Sequence, residues 1–174
     1  MMSNKGDGAA RILGHLRSVD SQGTVRMEDR FDTTVDDLWS ALTNPLRLTR
    51  WIGDVRGDLR LGGAFHGRYF ASGWEGTEHI QVCEPPRRLV IVTKETDASD
   101  EHSTEVTLTA DGDQTILVIE ERGLPLDQLA GYGAGIQVHV EDLAAYLARQ
   151  ECCDASVRWA VLFPAYQALE ADVR

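Results

Sequence analysis

The chain has 174 residues, of which 43% are hydrophobic and 26% charged, a balance that fits one globular domain with room for an appendage. Its 17 Lys and Arg stand against 28 Asp and Glu, a net charge of −11, so no basic face is expected for nucleic-acid phosphates or an anionic membrane surface. No apolar run approaches the ~20 residues of a membrane span, and the opening MMSNKGDGAAR lacks the apolar centre of a secretory signal.

Residues 1–9 are small and polar and are expected to be a disordered tail. Residues 10–18 can be read as a helix using Ile12, Leu13, Leu16 and Val19, or as an alternating strand. The turn residues 20–23 and the alternating stretch 24–31 favour the strand, and with it a hairpin. A helix follows at 35–42, with Thr33 or Thr34 as cap and Asp36 and Asp37 near its positive end. Val35, Leu38, Trp39 and Leu42 form its apolar stripe. Asn44-Pro45 stops it, and Pro45 opens a second short helix through Leu46, Leu48 and Trp51.

From 53 to 121 the pattern changes to strands and turns. Strands are expected at 64–70, 74–83, 89–93, 104–109 and 115–120, separated by Ser72-Gly73, Pro85-Pro86, a polar loop at 97–100 and Asp111-Gly112-Asp113. This spacing is that of an antiparallel meander. Gly123-Leu124-Pro125 ends it, and the glycine-rich stretch 131–135 reads as a flexible lead-in. Residues 136–149 then form a long helix whose stripe is Ile136, Val140, Leu143 and Leu147. Residues 151–157 are a polar break, and 159–170 a terminal helix that Pro164 should bend or restart. The tail at 151–174 carries Trp159, Phe163 and Tyr166, more aromatic surface than a solvated tail needs. It is expected to cover the 10–150 domain or to form a contact between two copies, a homodimer. The fold class is therefore α+β, with a curved antiparallel sheet gripping a long helix.

Several segments in this order resemble a known family. They are Val35-Asp36-Asp37-Leu38-Trp39-Ser40-Ala41-Leu42-Thr43-Asn44-Pro45, then Trp51, Leu61-Gly62-Gly63-Ala64-Phe65, Gly76, Glu84-Pro85-Pro86-Arg87-Arg88-Leu89, Gly123-Leu124-Pro125 and the stretch 135–143. The set is similar to the family named for the C-terminal domain of the activator of Hsp90 ATPase, in the START-like superfamily (also termed SRPBCC). The resemblance implies a helix-grip fold over about residues 10–150, often with a cavity between helix and sheet. Relatives often carry an aromatic after the glycine that opens the last helix. Ile136 stands there in this chain, and a smaller side chain would leave more room at the pocket mouth. Fold carries no activity by itself, since the superfamily's activities differ.

The candidate ligand-binding residues are Trp51, Phe65, Tyr69, Trp74 and Tyr132, with Ile136, His79 and His139. Tyr and Trp offer an apolar body with a polar handle; plain core packing is the competing reading for each. His139 lies one position off the helix stripe and can hang into the cavity or sit on the helix flank. His79 can act as acid or base only with a partner in reach. Glu75, Glu78 and Glu121 are partners by residue type that sequence cannot bring together. Cys83, Cys152 and Cys153 are too few for a disulfide framework and lack metal-site spacing, so they read as free thiols in a reducing cytoplasm. No catalytic residue, metal or cofactor is assigned. The leading expectation is a small apolar or amphipathic ligand. A chaperone-cofactor or stress-response interaction module and a cyclase- or hydrolase-like enzyme are the alternatives.

Overall fold

The computed structural model describes residues 11–94 and 101–173. The tail expected at 1–9 and the loop expected at 97–100 lie outside the described residues. Eight strands form one antiparallel sheet in the order β1-β2-β8-β7-β6-β5-β4-β3. They are β1 (Gly14–Val19), β2 (Gln22–Phe31), β3 (Gly53–Gly57), β4 (Ala64–Tyr69), β5 (Glu75–Glu84), β6 (Arg88–Lys94), β7 (Glu101–Asp111) and β8 (Gln114–Leu124). The hairpin reading of the first segment is correct. Val19 pairs with Gln22, and Asp20 and Ser21 between them both have positive φ, as a two-residue turn matching strand twist requires. Register shifts at Gly23/Thr24 and at Ile80/Val82 interrupt the ladders, and irregularities of this kind bend a sheet.

Helices α1 (Val35–Thr43) and α2 (Pro45–Leu48) carry the chain from β2 to the far edge strand β3. Thr34 caps α1 by accepting from the Asp37 amide, and Asn44 caps α2 by accepting from the Leu46 amide. Leu38 and Ala41 are fully buried beneath α1. Arg47 donates to Asp37 Oδ1 at 2.8 Å and to the Tyr146 hydroxyl at 2.9 Å, and so binds the two short helices to the long one.

That long helix, α3 (Leu129–Leu147), begins well before the expected start. The stretch 131–135 is helical rather than a flexible lead-in. Two contacts made by α4 (Ala155–Ala171) account for this. Glu170 accepts from the Ala130 amide at 2.8 Å, a carboxylate on an otherwise open helix N-terminus. Gly133 lies under the Tyr166 ring, where a Cβ would sit 2.5 Å from Cδ1. Burial against α4 thus offsets the helix cost of the glycines.

α4 runs unbroken through Pro164, where a bend or restart was expected. Leu162 and Tyr166, on either side of the proline, are fully buried, and their packing outweighs one missing hydrogen bond. Residues 151–173 dock on α3 of the same chain through a polar hub. The Tyr166 hydroxyl donates to Gln137 Oε1 at 2.5 Å and accepts from the Gly14 amide at 2.9 Å. Gln137 also accepts from the Leu13 amide. Arg158 forks onto Glu141, 2.6 Å to each oxygen, the two-bond geometry that guanidinium and carboxylate favour. The three cysteines are free. Burial and then the Asp142 carboxylate push Cys153 up to about 12, which leaves it a poor nucleophile.

Candidate functional site

Strand alternation turns one set of β5–β8 side chains toward α3. Between that face and the helix lies a cavity of about 760 Å³. Its floor follows from the register. Glu78 pairs with Thr93, and Thr93 with His102. One rung further along, Ile80 pairs with Ile91, Ile91 with Thr104, and Thr104 with Glu121. The next rung is apolar, Leu89 with Val106 and Val106 with Ile119. All of these residues line the cavity. The floor is therefore graded, polar at one end and aliphatic at the other.

The polar end is internally bonded. Tyr69 donates its hydroxyl to Glu78 Oε2, and Thr93 donates to Glu78 Oε1 at 3.0 Å. Thr104 donates to Glu121 Oε1 at 3.3 Å, and His102 Nε2 lies 3.3 Å from the same oxygen. Burial raises the Glu78 carboxyl above the ordinary carboxylate range despite these donors, with the nearby Glu121 charge acting the same way. Burial and the Glu78 carboxylate likewise raise the Tyr69 phenol well above its usual value. This end of the cavity disfavours negative charge.

The aromatic residues read from the sequence are here. Trp51, Phe65, Tyr69, Trp74, Tyr132, Ile136 and His139 all line the cavity. Trp51 is held by its indole N–H, which donates to the Ala41 carbonyl at 3.1 Å. Tyr69 stacks on Trp74 at 5.1 Å between ring centres, and His139 meets Tyr69 edge-on at 5.6 Å. His139 therefore takes the cavity position, not the outer flank. Burial lowers it to about 4, and its Nε2 has no hydrogen-bond partner. Ile136 lines the cavity and is partly buried.

His79 must be corrected. It is exposed, while its neighbours Glu78 and Ile80 on the opposite strand phase are buried, so it cannot reach the cavity. The cavity histidine beside a carboxylate is His102, with Glu121, and sequence reading did not single it out; His66 also meets Glu75, at 2.9 Å, but outside the cavity. A signal was nonetheless present. Glu78, Thr93, Thr104 and Glu121 each stand two residues from an inward aliphatic, Ile80, Ile91, Val106 and Ile119. A polar residue in the apolar phase of a strand faces the interior. Residues from the terminal helix, Trp159, Phe163, Gln167 and Glu170, complete the wall.

A curved sheet closed over one long helix, with a cavity between them, defines a helix-grip protein of the START-like class. More narrowly, residues 32–148 match the family described as activator of Hsp90 ATPase homolog 1-like protein, and the chain belongs to that family. α4 lies outside the matched span. Among curated proteins none matches. The crystal structure of CalU16 from Micromonospora echinospora is similar, with a TM-score of 0.74 and 27% identity, covering 91% of this chain and 96% of that one. DynU16, a protein in the dynemicin biosynthetic locus, is similar at TM-score 0.67 and 26% identity over 78% of this chain and 51% of that one. A protein of unknown function from Enterococcus faecalis, EF2215, shares the fold at TM-score 0.70 and 15% identity, covering 92% of each chain. Among the described residues, no helix is long and apolar enough to cross a membrane.

Proposed function

We propose that this protein binds a small apolar or amphipathic molecule in the cavity between α3 and the sheet. The observation that carries this reading is the 760 Å³ space with an aliphatic and aromatic wall and one polar end. Its volume lies within the roughly 300–1,000 Å³ usual for small-molecule sites. Nile red, a neutral apolar fluorophore, provides the test. Saturable binding with a blue-shifted emission is expected, and Gly131→Phe should abolish it. Gly131 lines the cavity, and a Cβ there has only Trp159 near it, at 3.8 Å. No saturable signal, or a signal that the substitution leaves unchanged, would overturn the reading.

The polar end favours a second reading, proton transfer to or from the bound molecule. His102 with Glu121 would serve as base, and Glu78, whose carboxyl is biased toward its neutral form, as acid. The interaction-module alternative would be favoured by a filled interior, and this interior is open.

A further inference from the structure

The charge of the cavity wall narrows the ligand class, given the proposal that the cavity binds a ligand at all. Four carboxylates line it, Glu78, Glu121, Asp127 and Glu170, and no Lys or Arg does so among the described residues. The whole chain carries −11, so no long-range positive field opposes them. Glu170 is already engaged with the N-terminus of α3. Glu121 has Thr104 and His102 beside one oxygen, Oε1. Glu78 is the most deeply placed of the set, 6% exposed, and its hydrogen-bond donors Tyr69 and Thr93 are both neutral.

Burial keeps the Glu78 carboxyl raised despite its donors and the nearby His102, so its charge is only partly compensated, and the folded protein has already removed it from water. A ligand that brings a positive charge recovers electrostatic energy without desolvating the carboxylate afresh, which is the advantage of a preorganised site. Around the same end stand the rings of Tyr69, Trp74 and Tyr132, whose faces also attract cations. An anion would meet the repulsion of Glu78 and Glu121 there. The remaining cavity histidine, His139, stays neutral near pH 7 because burial holds it down.

We propose that the ligand is an amphipathic amine, its protonated N–H directed at Glu78 and Glu121 and its apolar skeleton lying on the aliphatic rungs beyond them. Carboxylate oxygens accept hydrogen bonds and an ammonium donates them, so the contact is a charge-assisted one. The apolar skeleton takes the place that Ile80, Ile91, Leu89, Val106 and Ile119 line.

Three fluorescent probes with one skeleton separate charge from apolar burial: 1-pyrenemethylamine, 1-pyrenemethanol and 1-pyrenecarboxylate. Fluorescence titration near neutral pH should give a Kd for the amine at least about tenfold below that of the alcohol, with the carboxylate weakest. Glu78→Gln and Glu121→Gln should each weaken the amine several-fold more than the alcohol, and retained Nile red binding reports an intact cavity. The preference should survive about 0.5 M salt, which screens surface attraction but not a buried pair. Equal affinity for amine and alcohol, a preference lost in salt, or an amine Kd indifferent to both Gln variants would overturn the amine proposal while leaving a ligand site in place. Failure of all three probes, and of Nile red, would overturn both.

Discussion

Two glycines in α3 predict opposite effects of one substitution. Replacing a helical glycine with alanine should stabilise the protein by about 0.5–1 kcal/mol through backbone entropy alone. At Gly131 a Cβ meets only Trp159 Cη2, at 3.8 Å. That is ordinary contact, so Gly131→Ala should gain close to the full amount. At Gly133, one residue pair along the same helix, a Cβ would lie 2.5 Å from Tyr166 Cδ1 and 2.7 Å from Cε1. The Tyr166 ring cannot swing aside freely, because its hydroxyl is bonded to Gln137 and to the Gly14 amide. A Cβ at Gly14 would in turn come within 2.6 Å of that hydroxyl. Overpacking of this kind costs about 1–3 kcal/mol, and it exceeds the helix gain. Gly133→Ala should therefore be net destabilising, by up to about 2.5 kcal/mol. Urea denaturation of both variants reads the two signs directly. If Gly133→Ala stabilises as much as Gly131→Ala, the close fit of α4 on α3 is not what holds the terminal helix.

Three further outcomes follow from the same contacts. Tyr166→Phe leaves the buried Gly14 amide without its acceptor and should cost about 1–3 kcal/mol in urea denaturation. His139 titrates at about 4 when folded against an ordinary 6.5. Its contribution is complete above the unfolded value and is lost as pH falls from there toward 4, by about 2 kcal/mol between pH 7 and pH 5. His139→Leu should remove that part of the acid sensitivity; a variant that loses stability as steeply as the parent over this range would refute the assignment. Glu78 has the opposite sign, because its folded value is raised above the ordinary 4.5. Its contribution to stability is complete below 4.5 and declines as pH rises through the folded value. The stability difference between Glu78→Gln and the parent should grow with pH across that window and then level off, and a flat difference would count against a raised Glu78.

Periodicity made the order of elements legible, from the first hairpin to the meander and the long helix. It also placed His139 beside the helix stripe, whereas Tyr69 and Trp74 were cavity candidates by residue type, an apolar body with a polar handle. The start of α3 was not legible, because residues 131–135 look like a linker until Tyr166 packs on Gly133 and Glu170 bonds to Ala130. The continuity of α4 through Pro164 was hidden for the same reason, a local rule overridden by burial from a distant segment.

The sequence by itself therefore determined the α+β layout, a meander with one long helix against it, since helix and strand patterns depend on neighbours a few residues apart, and the helix-grip class through its family resemblance. It also placed Glu78, Thr93, Thr104 and Glu121 in the inward phase of their strands. Only the tertiary structure decided that these four, with His102 and Tyr69, meet at one end of a single cavity. Strand pairing and register, Glu78 to Thr93 to His102 and Thr104 to Glu121, join residues far apart in the chain. Such long-range pairings are set by the collective packing of the sheet against α3, which no local stretch of residues encodes.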